Sequence, residues 1–531
     1  MTEPTLDRRT LLALAAGAAV TPKLAMAQQA VALRPNLPGP YDLVITNGRA
    51  IDPETGLDAV RNIGVIGGRI AAISEQPLAG AKTIDAESHV VAPGCIDLHA
   101  HGQQMAAAWV QAYDGVTTAL ELESGLLPIS MFYDITAKEG RPINYGAGAA
   151  WTYARVEAKE GIKPNGTIGW FQDAFSLSNW QNTLATPEEL ELIMDLVDAG
   201  LREGGLGVSI NAGYAPGYGR KEYYELAKLA AKHNVATFTH VRYLNAQEPL
   251  SSFEAIEELL ALSAITGAHM HLCHLNSSSV GDIEDTSKLV QEAIDRGLRV
   301  TTEAYPYGAG SSAIGAEVFR GDDWLQRWGV PDASRMETNG KALSQKEITE
   351  LQESAPGTIV VMHFLKPEDS ERDRDLLDKS VLFPGGAIAS DAMPWTDSKG
   401  ALISEPDVWP LPEGAFAHPR TSGCYSRFLA EFVRKRNAIS LSDGLAKCSL
   451  IPANIMAESV PQMRTKGRLQ VGMDADLMIF DLEKVQDNAT FQEPAKLSTG
   501  HRHIVVNGVV VIEDGERMPD RLAGRAIRRN V

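Results

Sequence analysis

Through the middle of this chain, short apolar runs alternate with amphipathic stretches, which predicts repeated strand–helix units. The amphipathic stretches include Pro187 to Ala199, Lys221 to His233 and Ser251 to Thr266. The apolar runs between them are only five to seven residues long, the length of buried parallel strands. Both ends of the chain have a different texture. Residues 41 to 90 alternate apolar and polar side chains around Asn47-Gly48 and Gly67-Gly68 turns, and this alternation returns from Lys466 to Phe480 and at Ile504 to Val509. Short antiparallel strands from both ends are therefore expected to form one small β-sandwich, from 41–90 and 461–520. Residues 91–460 are expected to close into an α/β fold, a (β/α)8 TIM-type barrel. The segment at about 308–385 reads as a helical lid inserted between the seventh and eighth strands, hinged at Gly308-Ala309-Gly310-Ser311-Ser312.

A length of 531 residues suits one large domain with a smaller one attached. The formal charge of -19 argues against nucleic acid or an anionic membrane as partner, since both select basic surfaces. Cys95, Cys273, Cys424 and Cys448 are far apart and form no Cys-x-x-Cys, so buried free thiols are expected rather than a disulfide framework or a zinc ribbon. At the N-terminus, Arg8-Arg9 precedes an alanine-rich apolar run to Val20 and then Ala25-Met26-Ala27. That reads as a twin-arginine signal over residues 1–27, too short to span a bilayer. It implies export by the twin-arginine translocase and a periplasmic or secreted mature protein.

Candidate chemistry sits where the apolar runs end, because the active site of such a barrel gathers at the C-terminal ends of its strands. Val90 to His101 delivers His99 and His101 at i and i+2, on one face of an extended strand. Two buried imidazoles there are costly unless something coordinates them. The next run ends at Glu121 and Glu123, two carboxylates that call for a cation. Later runs deliver His240 followed by Arg242, His274, Tyr305 and Asp391. Such residues at successive strand ends point to a metal-dependent hydrolase. His269 and His271 read as core, because only one residue of their strand can occupy the tip. His363 reads equally as core or as a substrate contact.

With these residues in view, the chain resembles the amidohydrolase superfamily, and within it the D-aminoacylase (N-acyl-D-amino-acid deacylase) branch. The resemblance rests on Pro93-Gly94-Cys95-Ile96-Asp97-Leu98-His99-Ala100-His101, Asp114-Gly115-Val116-Thr117-Thr118, Thr239-His240-Val241-Arg242, Ala304-Tyr305-Pro306-Tyr307, Ser390-Asp391 and His418-Pro419-Arg420. It implies zinc, as one or two divalent ions, held by His99, His101, His240, His274 and Asp391, with Asp391 as general base. The branch supplies a cysteine from its second strand, whereas Ser124 stands at that offset here; Glu123, or Glu121 with a shifted strand, would bridge the metals instead. No lysine occurs from Gly205 to Asn211, so the carbamylated-lysine bridge of related enzymes is not expected. Oxygen ligation in place of a thiolate would loosen the preference for zinc.

The resemblance further implies cleavage of the amide of a small N-acyl amino acid, preferably N-acyl-D-glutamate. Arg242, Arg420 and Tyr305 are its candidate carboxylate contacts, although Arg242 reads equally as structural. Asn276 stands where the branch often has a lysine. Two alternatives compete: opening of a cyclic amide such as a hydantoin or lactam, and a non-catalytic periplasmic binding protein. The second is weak, because the expected histidines and Asp391 are all present.

Overall fold

The computed structural model describes residues 36–405 and 408–530. The predicted twin-arginine segment lies outside them. Eight parallel strands form the central sheet: β1 (Cys95–Asp97), β2 (Val116–Leu126), β3 (Asn144–Ala150), β4 (Val208–Asn211), β5 (Ala236–His240), β6 (His269–Leu272), β7 (Val300–Ala304) and β8 (Ala387–Ile388). Each pairs with its neighbour in chain order. Past their ends, an Ala100–Ala392 bridge and a 2.8 Å hydrogen bond from the His101 N–H to the Ala392 carbonyl join the first strand to the last. Buried Asp97 reinforces that seam by accepting from the backbone N–H and the hydroxyl of Ser390. The expected TIM-type barrel is therefore present.

Local sequence sets the helices around it. Pro187–Arg202 starts from a capping box in which Thr186 and Glu189 satisfy each other's backbone N–H groups. Arg220–His233 stops at Asn234, whose left-handed backbone ends the helix. Ser252–Thr266 begins with the Ser251 side chain accepting from the Glu254 N–H. Each matches its predicted amphipathic stretch to within three residues.

Both chain ends contribute to a second, nine-stranded sheet. Val90–Pro93 lies within it, parallel to Tyr41–Asp52 and antiparallel to Leu477–Phe480, and leads directly into β1. Leu43, Ile63, Val65, Leu477, Ile479 and Val505 meet in one core, so each end of the chain completes the other's burial.

The insertion between β7 and β8 differs from the predicted helical lid. It carries a four-stranded antiparallel sheet, with Ile359–His363 between Ala309–Ala313 and Met336–Thr338, as well as helices Gln345–Ser354 and Glu371–Val381. Ile359-Val360-Val361-Met362 is a buried, β-branched run that suits a strand better than a helix. The presumed glycine hinge is itself one of the paired strands.

Candidate metal centre

The strand tips bring their polar residues to one buried point. His99 and His101 follow β1 with both Nε2 atoms turned inward, 3.1 Å apart. Two ligands held tetrahedrally at zinc–nitrogen distances lie about 3.3 Å from each other, so this spacing suits a shared ion. Asp391 follows β8 and places Oδ1 3.4 Å from His99 Nε2 and 3.3 Å from His101 Nε2. These three residues form one possible ligand group.

Glu123, near the end of β2, reaches a second group. Its Oε1 lies 2.8 Å from His240 Nδ1 and 3.3 Å from His274 Nε2. Its Oε2 lies 3.5 Å from His99 Nε2 and 3.4 Å from His101 Nε2. One carboxylate thus has an oxygen toward each pair of histidines. Glu121 sits deeper and accepts instead from His101 Nδ1 at 2.9 Å and from the N–H groups of Ser124 and Gly125. The bend that brings those amides back needs the left-handed backbone of Gly125, φ +64°, where a Cβ would collide with Ser209 and the Gly148 carbonyl. His274 and Asp391 also have positive φ, +33° and +51°. Backbone conformations of this kind cost roughly 1–3 kcal/mol and cluster at functional sites.

Further carboxylates and hydroxyls set the rings. Glu303 on β7 holds His99 Nδ1 at 2.6 Å through Oε1 and His271 Nε2 at 3.1 Å through Oε2. Ser278 lies 3.0 Å from His274 Nδ1. Asn211, closing β4, donates to Glu123 Oε2 at 2.8 Å and to Ser124 Oγ at 2.9 Å. Such partners fix the tautomer and orientation of metal-binding rings.

The electrostatics favour a bound cation. Burial works to lower the His99 pKa, but the carboxylates of Asp391, Glu303 and Glu123 outweigh it and hold it well above the usual value. His101 is pushed up to about 10 against its own burial, mainly by Glu121 and Asp391. Glu123 is held well below the carboxylate range despite burial, chiefly by His99 and His240. A divalent ion would supply the positive charge that these carboxylates otherwise draw from protons, so the donor set fits one. Cys273 lies beside His99 and Glu303, but burial pushes its thiol up and Glu303 already holds the facing ring nitrogen. That grouping is a poor ligand set, because only the thiolate binds metal well.

A pH-dependent result follows. Without metal, the surrounding carboxylates favour a proton between the facing Nε2 atoms of His99 and His101, which ligation through Nε2 must expel. Zinc titration by calorimetry in buffers of different ionisation enthalpy is expected to show release of about one proton, with affinity rising with pH. Release of none would contradict this charge state.

The substrate candidates part company. Arg420 is fully buried, its Nη2 2.7 Å from Asp391 Oδ2 and its Nε donating to the Asp391 carbonyl at 2.6 Å. Its guanidinium lies 4.5 Å over the Tyr305 ring, and Tyr305 lines the cavity above Glu123 and His274. Arg242, in contrast, turns away from the cluster. It pairs with Glu258 at 3.0 Å, donates to the Pro216 and Tyr218 carbonyls and stacks 3.5 Å over Tyr218. This geometry assigns it the structural reading. Arg242→Gln is therefore expected to lower unfolding stability by about 3 kcal/mol, typical of a broken buried pair, with KM unchanged; a raised KM at unchanged thermal stability would restore the substrate role. His363 faces Glu337 at 3.5 Å and Phe491, beside a different cavity, and is not brought to the cluster. His269 bonds Thr301, while His271 joins the site indirectly through Glu303. Sequence reasoning missed Glu303 and Asn211, although Glu303 shares a strand face with Tyr305.

A parallel barrel whose strand tips gather four histidines and two carboxylates over a buried cavity is the frame of a metal-dependent hydrolase. The model of the amidohydrolase family matches residues 82–512, and the chain belongs to that family. Over 519 residues it is 27% identical to an N-acyl-D-glutamate deacylase of Alcaligenes xylosoxydans xylosoxydans, covering 92% of this chain and 97% of the relative. It is 25% identical to a D-aminoacylase of the same organism over 523 residues, covering 92% and 98%. The crystal structure of an N-acyl-D-glutamate deacylase from Bordetella bronchiseptica, complexed with zinc and a phosphonate inhibitor, shares the fold with a TM-score of 0.71 at 22% identity, covering 92% of this chain and 100% of that one.

Proposed function

We propose that this enzyme cleaves the amide bond of N-acyl amino acids, of the D series as in the names of its relatives, to a carboxylic acid and a free amino acid. The observation that carries this reading lies beside the cluster. Arg420 Nη1 and the Tyr305 hydroxyl are buried and lack hydrogen-bond partners among the described residues. Each unsatisfied donor costs about 1–3 kcal/mol, and a substrate carboxylate would satisfy both. Of the two, the Tyr305 side chain lines the cavity that also touches Asp391, and Arg420 stands behind that wall against Asp391.

His99, His101, Asp391 and Glu123 would hold one ion and Glu123, His240 and His274 a second. When bound, such ions supply a nucleophile from water near neutral pH and polarise the carbonyl. Asp391 supplies the proton chemistry. Burial tends to raise its pKa, but the Arg420 guanidinium and the facing imidazoles lower it, so it is a ready carboxylate. It accepts the proton of the attacking water at Oδ1 and returns it to the departing nitrogen. Arg420 fixes the carboxylate through Oδ2.

N-acyl-D-glutamate is the substrate expected from the sequence and named for one relative. For its second carboxylate the cavity offers the hydroxyls of Ser277, Ser311 and Ser312, but no lysine or arginine among its described lining residues. Its advantage over N-acyl-D-glutamine is therefore expected to stay within roughly tenfold in kcat/KM, the range of one weak contact. The test is amine release by the metal-loaded protein from N-acetyl-D-glutamate, its L enantiomer, N-acetyl-D-glutamine and N-acetyl-D-leucine, with hydantoin in parallel. Turnover of the D-acyl amino acids is expected. Ring opening of hydantoin with no acyl amino acid consumed would replace this reading by the cyclic-amide one.

A further inference from the structure

Two cavities meet over the metal centre, and the mechanism has used only one. The first, with Tyr305 at its wall, touches Glu123, His240, His274 and Asp391. The second touches His101 and Ser124, opens to solvent and has a cavity volume of about 50 Å³. Tyr214 and Ser312 line both. A bond cleaved over the cluster therefore has one arm in each cavity.

The second cavity is walled by Ile168, Phe171, Phe175, Ile359 and Met393. Phe171 and Phe175 come from helix Ile168–Ala174 and the residue after it, in the long excursion between β3 and β4. They stand 5.1 Å apart, with Phe171 5.8 Å from Trp180 and Phe175 5.7 Å from Tyr214. Ile359 comes from the insertion sheet and Met393 from just beyond β8. Three separate parts of the chain thus build one apolar wall next to His101. Its described lining residues carry no lysine, arginine or carboxylate.

We infer that this second cavity is an acyl-chain pocket, and that the enzyme prefers N-acyl amino acids whose acyl group is aliphatic or aromatic and larger than acetyl. The inference rests on the deacylase reading, which places the carboxylate arm in the first cavity, at the Tyr305 wall. The acyl arm then falls against Phe171 and Phe175. An acetyl methyl leaves most of that wall wet, whereas each further methylene covers apolar surface. Since transfer of one methylene from water is worth several-fold in binding, kcat/KM should rise roughly two- to fourfold per methylene until the pocket is full.

The experiment measures kcat/KM for the N-acetyl, N-butanoyl, N-hexanoyl and N-phenylacetyl derivatives of D-leucine and D-glutamate. The hexanoyl-to-acetyl ratio, four methylenes, is expected to be roughly 16- to 250-fold by the same scaling if the whole chain is covered, and smaller where the pocket fills first. It should shrink in Phe171→Ala, a ratio that does not depend on how much of the variant is active. Hexanoate should also inhibit as a product far below the concentration at which acetate does, a readout that needs no variant. Turnover of the acetyl substrates with a ratio at or below one, and equal inhibition by the two acids, would overturn the acyl pocket and leave the deacylase reading standing. No turnover across both series would overturn the two together.

Discussion

Asp391→Asn is expected to lower kcat by roughly 10²- to 10⁴-fold, the usual range for loss of a general acid–base group. KM should hold steady or fall. The amide cannot take up the proton of the attacking water, yet Arg420 and Tyr305 remain to bind the substrate. Removing the negative partner 2.7 Å from Arg420 Nη2 also frees that guanidinium for the substrate carboxylate. The split between kcat and KM is the diagnostic part, because a merely structural role would change both or neither. Steady-state kinetics with saturating metal decide it, and kcat within threefold of the parent would remove Asp391 from the chemistry.

Glu123→Gln is expected to do comparable damage by a different route. The carboxylate meets four imidazoles, with one oxygen toward each pair. Glutamine keeps the shape but has one acceptor oxygen and no charge. It cannot serve both groups, and it leaves buried histidines without a counter-charge. Metal content is expected to fall from two ions per chain to one or fewer, with kcat down at least about 100-fold, as expected when electrophilic activation is lost. Glu121→Gln is the matched control, since the one histidine that Glu121 meets is His101, at its far nitrogen. It should weaken metal binding by about 10- to 100-fold, as loss of a ring-orienting partner does, while two ions still bind in excess metal. If Glu121→Gln abolished the second ion and Glu123→Gln did not, the two glutamates would have to exchange roles.

The barrel was readable from sequence because a histidine or carboxylate inside an apolar run is expensive to bury, and chance does not place one at the ends of five of the eight strands. Choosing between Glu121 and Glu123 was beyond that logic. At i and i+2 they share a face, and only the bend at Gly125 sets which is deeper. Parity over-reached at Arg242, two residues beyond His240, because β5 ends at the histidine and the chain then turns toward Glu258. Glu303 lies within β7, one residue before its end, where parity does hold. The insertion was misjudged for another reason. Its polar flanks resemble solvated helices, and the strand character of Ile359 to Met362 shows only when Ala309–Ala313 arrives from far along the chain to pair with it.

The arrangement of the site predicts two divalent ions, one on either side of Glu123, held by four histidines from three strand ends. Anomalous diffraction from crystals of the metal-loaded protein tests it most directly. The account predicts two peaks about 3.5–4 Å apart, the separation of two-metal hydrolytic sites, with one Glu123 oxygen on each. A single peak ligated through Glu121, or peaks remote from His240 and His274, would contradict it.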